Sequence, residues 1–294
     1  AQGRLRATYC DEPLTFRHII QAITVPDGEA KRAKLLTAYI NSRIAIWYAF
    51  HGTASFGSDR PEVAQAELRR LPFQSAADLP DRASAEESAD ALVAIIDDAL
   101  AELKKPFALT QDRPEILRTI DRRIYAYFGL SDDEITIVDD TVDYIMPALQ
   151  PREGHFPALW EAPDHIERGC YARTLARSLK DWLRGEGRIG TRLMGHSADL
   201  SVLRLKLGDA CEYEEDEGGE LTTALGRLFE HIVVPVDGNY QLTPDLRVFV
   251  GDSLYLVKPM QRRFWLKSTA LADADAIALD LQQASTADKR RSAG

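Results

Sequence analysis

Apolar residues between positions 35 and 48 recur at intervals of three and four, which is the spacing of one face of an amphipathic helix beginning near Glu29. A small polar turn follows over residues 53–58, and then Arg60-Pro61. The N–H groups of such a Gly/Ser turn can face outward, where together with an arginine they suit contact with phosphates. An ordinary amphipathic helix followed by a loop has the same pattern, so both interpretations stay open. The apolar positions are Leu35, Leu36, Tyr39, Ile40, Ile44, Trp47 and Tyr48.

Capping and breaking residues divide the rest of the first half of the chain. Residues 4–25 flank an Asp-Glu-Pro turn and predict a hairpin or a pair of strands. Three helices are expected after residue 80, each with a residue that favours a helix start or end. The predicted starts are Ser84 with Glu87, Pro114, and Ser131 with Glu134, and the predicted ends are Gly129 and the pair Pro147 and Pro151.

Helical and strand periodicities alternate in the second half. The expected elements are a helix from Asp164 to Arg184, strands within 188–207, a helix over 221–232, strands over 233–236, 247–250 and 253–257, and a helix over 270–283. Residues 284–294 are expected to be disordered. We therefore predict a mixed α/β fold of the α+β type. It comprises an N-terminal α+β lobe (1–80), a helical spacer (81–150) and a C-terminal α+β lobe with a basic helix and the disordered tail (151–294).

Charge is segregated along the chain, although the net charge of the 294 residues is −10. Basic residues dominate from Arg168 to Lys206, and a second basic cluster comprises Lys258, Arg262, Arg263 and Lys267. The acidic balance argues against a general nucleic-acid binder. A locally basic surface can still bind DNA, with the acidic regions limiting non-specific attraction.

Four cations of the predicted 164–184 helix recur at intervals of four, three and four, which places them on one face. An all-basic row gains nothing from i,i+4 pairing and carries mutual repulsion. It is typical of a helix that lies against a phosphate backbone. A solvated face neutralised by the acids between Asp209 and Glu220 is the other interpretation. The row is Arg173, Arg177, Lys180 and Arg184.

Several chemistries find no support in the pattern. The three cysteines are far apart, which argues against a disulfide framework or a zinc site and fits a reducing cytoplasm. The six histidines have no metal-ligand spacing. No apolar run approaches the roughly 20 residues of a membrane helix, so no membrane partner is expected. The chain lacks a starting Met, which suggests a piece of a longer protein.

The order of motifs in the first lobe carries a family resemblance. An Asn41-Ser42 pair, aromatic residues, a Ser55-Phe56-Gly57 turn, Arg60-Pro61 and Leu71-Pro72-Phe73 follow one another. This order resembles the C-terminal specificity half of adenine-directed (N-6) DNA methyltransferases of type I, type IIG and phage-defence systems. The stretch Tyr127 to Ile135 is also similar to these enzymes, whereas beyond Asp164 the resemblance is vague.

The resemblance implies a division of labour. The family's catalytic Asn/Asp-Pro-Pro-Tyr/Phe tetrapeptide and its glycine-rich turn for S-adenosylmethionine do not occur in this chain. We therefore expect no activity and no cofactor in this chain alone. S-adenosylmethionine would bind to a separate catalytic domain or subunit that flips the base.

The expected function is the DNA-binding target-recognition part of such a methyltransferase in the bacterial cytoplasm. Its expected partners are double-stranded DNA, the catalytic domain or subunit, and other defence-complex subunits. The first alternative is a protein–protein interaction module of a defence complex, and a hydrolase with an unfamiliar site is a third. The residues expected to contact DNA are Ser55, Gly57, Arg60, Arg173, Arg177, Lys180 and Arg184.

Overall fold

A computed structural model describes residues 5–17, 20–53, 63–104, 114–149, 156–182, 187–209, 212–216, 220–229 and 246–292. The chain divides into two compact units, Ala1–Arg152 and Glu153–Gly294. The described elements of the first are helical, and the second contains a five-stranded sheet with helices. The prediction of a mixed α+β fold is confirmed.

Helices of the first unit pack around one main core. α1 and α2 come from the region that resembles the methyltransferases, and α4 and α5 come from the predicted spacer. Tyr39 of α1, Leu92 of α4 and Ile124 of α5 are all buried in this core. The helices are α1 (Ala30–Ile40), α2 (Arg43–Gly52), α3 (Gln65–Leu68), α4 (Arg82–Leu103), α5 (Pro114–Phe128), α6 (Asp132–Asp140) and α7 (Met146–Leu149).

The apolar run near the N-terminus forms two helices, so the expectation of a single helix is wrong. The break is at Asn41-Ser42. Ser42 has extended backbone angles and its hydroxyl accepts a hydrogen bond from the backbone N–H of Ala45, which makes it the N-cap of α2. The Asn41 side chain bonds both backbone groups of Ala7, at 2.8 and 3.3 Å. Asn41 and Ser42 therefore have a structural role, which is to end α1 and hold the N-terminal segment.

The strands expected over residues 4–25 are not present among the described residues of that segment. Residues 5–17 and 20–25 follow an irregular path, fixed at Ala7 by Asn41 and at Gln21, whose amide donates to the carbonyl of Val63 at 2.9 Å. Alternation predicts a strand only if a neighbouring strand pairs with it. The side chain of Asn41 instead satisfies both backbone groups of Ala7.

Helix boundaries after residue 80 agree in part with the sequence. The starts at Pro114 and at the Ser131/Glu134 capping box are confirmed. The start expected at Ser84 is wrong, because Asp81 caps α4 and its carboxylate accepts from the N–H of Ser84. Of the two prolines expected to end the third helix, Pro147 lies within a helix and Pro151 lies outside the described residues. A π-helical turn over Thr141–Ile145, where the N–H of Met146 donates to Thr141, leads directly into α7.

The second unit is a three-layer arrangement around a sheet of order β3-β1-β2-β5-β4. All neighbouring strands are antiparallel except β1 and β3. Leu203 faces the buried sides of α8 and α10, whereas its neighbour Val202 packs against α9, as alternation along a strand requires. The elements are α8 (His165–Trp182), β1 (Ile189–His196), β2 (Leu200–Leu207), β3 (Glu214–Glu215), α9 (Leu221–Phe229), β4 (Leu246–Val250), β5 (Ser253–Pro259) and α10 (Lys267–Ser292).

Local signals in this unit are mostly reliable. Gly251, with φ of 59°, makes the expected turn between β4 and β5, and Asp164 caps α8 as expected. The expected disorder after residue 283 is wrong for the backbone, because α10 continues to Ser292. The predicted strand over 233–236 lies outside the described residues.

Candidate nucleic-acid interface

The basic row of α8 is exposed where the structure describes it. Tyr171, Leu175 and Leu179 bury one side of the helix in the core of the second unit. Arg173, Arg177 and Lys180 are exposed. The α-helical repeat places them within one face because they are separated by four and three residues. Arg184, the fourth predicted member, lies outside the described residues.

Acids from the predicted neutralising segment pair with other arginines. Glu215 binds Arg168 at 3.0 Å, Glu214 binds Arg192 at 2.6 Å, and Asp209 lies 3.8 Å from Arg204. Arg173 and Lys180 form no ion pair with a carboxylate of the described residues. These pairs occupy three of the acids that the solvated-face interpretation would need.

Arg168 does not contribute to an exposed basic surface, contrary to its inclusion in the basic stretch. It is buried, with Nη1 bound to the carbonyl of Pro163 and two nitrogens bound to the carboxylate of Glu215. Burial alone would raise the pKa of Glu215. Hydrogen bonds from Arg168 and Tyr213 outweigh that effect and hold the pKa of Glu215 below its ordinary value. Burial and the contact with Glu215 raise the pKa of Tyr213. This cluster fixes β3 to α8.

A glycine on α8 makes room for this arrangement. A Cβ added to Gly169 would lie 3.2 Å from the ring of Tyr213 and 3.1 Å from the guanidinium of Arg173. The guanidinium of Arg173 therefore extends back along α8, where one nitrogen is 3.6 Å from Sγ of Cys170.

The second basic cluster of the sequence is divided by the fold into two enclosed and two exposed members. Lys258 is only 2% exposed, with Nζ 2.5 Å from Oδ2 of Asp273 and 4.7 Å from the ring centroid of Tyr171. Arg262 binds Glu161 and Glu167 at 2.8 and 2.7 Å. Arg263 and Lys267 remain exposed.

An aromatic contact at this place was not anticipated from the sequence. The guanidinium carbon of Arg263 lies 4.4 Å from the ring centroid of Trp160 and 4.6 Å from that of Phe264. Trp160 belongs to a short 3₁₀ helix, Ala158–Trp160, between two prolines. No local pattern shows that residues 160 and 263 meet. In the sequence, the signal that could have indicated an unusual position is a tryptophan within a proline-rich loop.

Three predicted DNA contacts of the first unit, Ser55, Gly57 and Arg60, lie outside the described residues. The last described residue before them is Thr53, at the end of α2. Its hydroxyl donates to the carbonyl of Ala49. Of the seven residues predicted to contact DNA, the described part of the chain therefore contains three: Arg173, Arg177 and Lys180.

In the first unit, unlike the exposed row of α8, the side chain of Arg43 is surrounded by carboxylates. Arg43 bonds Asp139 and Asp143 at 3.0 and 2.7 Å, and its backbone N–H donates to Asp121, which is 4% exposed. Burial lowers the pKa of Arg43, but the surrounding carboxylates raise it above its ordinary value. Burial and a hydrogen bond to Asp139 also raise the pKa of Tyr125.

Neither a metal centre nor a membrane-spanning helix is found in the described ranges. No group of three or more His, Cys, Asp or Glu side chains there could hold a metal ion. None of the described helices has the length and apolar character needed to cross a bilayer.

Comparisons with known proteins give no match. A scan of protein-family models, a search of curated proteins and a search of solved structures each return no significant similarity.

Proposed function

We propose that this chain is the DNA-binding target-recognition part of an adenine-specific DNA methyltransferase of a restriction-modification or phage-defence system. The observation that carries the proposal is the exposed basic row of α8, Arg173, Arg177 and Lys180, on a helix whose other side is buried. The motif order from Asn41 to Phe73 adds the resemblance to the methyltransferase family.

The dimensions of the row suit a phosphate backbone. Lys180 is seven positions after Arg173, which corresponds to about 10 Å along a helix with a rise of about 1.5 Å per residue. Successive phosphates of one DNA strand are about 3.4 Å apart along the duplex axis. Three cations along this length can therefore contact about three phosphates of one strand. Such contacts position a protein on the duplex, and base contacts supply the specificity.

The chemistry of methyl transfer belongs to a partner in this proposal. A catalytic domain or subunit would bind S-adenosylmethionine and flip the adenine, while this chain holds the duplex. Other defence-complex subunits are further candidate partners. The proposed location is the bacterial cytoplasm, where the DNA is.

The experiment is DNA binding by fluorescence anisotropy across a salt series, with a fluorescent duplex of random sequence. The wild-type chain is compared with R173A/R177A/K180A. Each lost phosphate contact removes about 0.9 from the slope of log affinity against log salt. We expect the triple variant to bind much more weakly, with a slope smaller by up to about 2.7.

A matched control removes the same charge elsewhere. Arg82, Arg118 and Arg122 are exposed on α4 and α5, and R82A/R118A/R122A should bind nearly as the wild type does. Equal weakening by both triple variants would mean that overall charge, and not the α8 row, attracts DNA. Absence of wild-type binding even at low salt would overturn the proposal. Circular dichroism of each variant verifies that the helices are intact.

A protein-interaction module of a defence complex is the second candidate function. Its support is a group of exposed apolar side chains in the irregular N-terminal segment, Leu14, Phe16, Ile20 and Ile23, each 47–62% exposed. A contiguous exposed apolar patch marks an interaction site, and these four side chains are close together in the chain. An apolar interface would respond little to salt, whereas phosphate contacts weaken steeply, so the same salt series separates the two candidates.

A further inference from the structure

Trp160 and Arg263 form an exposed stack at the start of the second unit. Trp160 is 46% exposed although the guanidinium of Arg263 covers it at 4.4 Å from the ring centroid. Phe264 lies on the guanidinium too, at 4.6 Å. A large part of the tryptophan surface therefore remains open to solvent beside a cation.

Hydrogen bonds around Arg262 fix the position of this stack. The Arg262 side chain donates to the carbonyl of Ala158 at 2.8 Å, and its backbone N–H donates to the carbonyl of Glu161 at 2.8 Å. Another nitrogen of the same guanidinium binds Glu167 in the first turn of α8. The residues on both sides of Trp160 are thus bound to Arg262, next to Arg263 in the chain. A rigidly held aromatic side chain loses little entropy when it binds a ligand.

The cation in contact with the tryptophan is Arg263. Its neighbour Arg262 binds two acids of this region, Glu161 and Glu167. Arg263 forms no ion pair with any carboxylate of the described residues and contacts the two rings instead. An anionic ligand therefore meets Arg263 without a competing acid on it.

We infer that Trp160 and Arg263 form a stacking site for an unpaired nucleobase of DNA, with Arg263 on the adjoining phosphate. This inference rests on the proposed DNA-binding function and deepens it. Tryptophan and arginine stack on the face of any base, and arginine also neutralises phosphate. Bases inside a duplex cover each other's faces, so the site is suited to a base that has left its pair. A gap or an extruded base in the bound DNA would supply it.

The experiment uses the full chain and two fluorescent duplexes of the same sequence, one fully paired and one with a central four-nucleotide single-stranded gap. Loss of one base–aromatic stack weakens binding by about tenfold or more. We expect W160A to lose about tenfold in affinity for the gapped duplex and less than twofold for the paired one. W160F keeps a ring and should retain most of the affinity. R263A should resemble W160A, and it serves as the second variant if W160A does not fold.

Trp182 offers the matched control, because it is 60% exposed at the end of α8 and W182A should behave as the wild type. Equal affinities of W160A and wild type on both probes, with binding still lost in R173A/R177A/K180A, would overturn this inference alone. Equal weakening of W160A on both probes would also overturn it. No DNA binding by the wild type would overturn the proposed function as well.

Discussion

Arg43 in the first unit and the basic row of α8 in the second unit use the same kind of side chain in opposite ways. Asp139 and Asp143 bind the guanidinium of Arg43, and Asp121 lies 3.5 Å from its Nε. Arg173 and Lys180 have no such carboxylate among the described residues. An enclosed cation stabilises the fold, whereas exposed cations such as Arg173 and Lys180 are available to an anionic ligand. The number of arginines in a stretch does not tell these two cases apart.

The largest stability effect is expected at the most enclosed charge, Lys258. Asp273→Ala leaves its ammonium buried without a counter-ion, and loss of one partner of a buried pair costs about 3–5 kcal/mol. Urea unfolding followed by circular dichroism measures this loss in the free energy of unfolding. Asp275→Ala on the same helix, at an exposed position, should change little. Removing both charges in K258M/D273L should recover most of the loss, and failure to do so would contradict the assignment to charge burial.

Arg43→Ala tests the enclosed cation of the first unit. Asp121, which is buried, would lose its contact with the guanidinium but keep the hydrogen bond from the backbone N–H of residue 43, whereas Asp139 and Asp143 are about half exposed and would regain water. We expect a loss of about 2 kcal/mol in the free energy of unfolding, less than for a fully buried pair. Arg82→Ala breaks an exposed pair with Glu86 and should cost only about 0.3–0.5 kcal/mol. Equal losses for the two variants would show that enclosure does not matter.

Glu215→Gln tests the link between α8 and β3 through its pH dependence. The pKa of Glu215 is lowered in the folded state, so its contribution is present above the ordinary glutamate pKa of about 4.3 and is lost as pH falls through the lowered value. We expect E215Q to be about 1–2 kcal/mol less stable at neutral pH. The difference from wild type should shrink between about pH 4.5 and pH 3.

Urea titrations of both proteins at pH 7, 4.5 and 3 provide that measurement. Glu214→Gln is the neighbouring control, because its pair with Arg192 is exposed and its loss should be smaller. A difference that stays constant down to pH 3 would contradict an ionised Glu215 in the folded state.

The smallest effect is expected at the exposed row itself. Lys180→Ala should change the free energy of unfolding by less than about 0.5 kcal/mol, because the side chain is exposed and lies among like charges. The same variant should bind DNA more weakly. The slope of log affinity against log salt should decrease by about 0.9. Lys180→Ala is therefore expected to weaken DNA binding with little change in stability, in contrast to the large stability loss expected for Asp273→Ala. A large stability loss in K180A would assign the row a structural role.

Local signals in the sequence were sufficient where the responsible residues are close together. Ser131 and Glu134 are three residues apart and form the predicted capping box, and the Gly251 turn joins the predicted strands. The exposed positions in α8 follow from the periodicity of Leu175 and Leu179. Local signals did not indicate the role of Asn41, because its side chain bonds Ala7, 34 residues away.

The sequence by itself determined the fold class, most helix and strand positions, and the face of α8 that carries its cations. These depend on short-range periodicity and on capping groups. Only the tertiary structure decided which cations are enclosed and which are exposed. Arg43 meets Asp121 across 78 positions, Arg168 meets Glu215 across 47, and Arg263 reaches Trp160 from another element. Coulomb interactions and stacking act over a few ångströms, so their partners are set by the folded chain and not by the order of its residues.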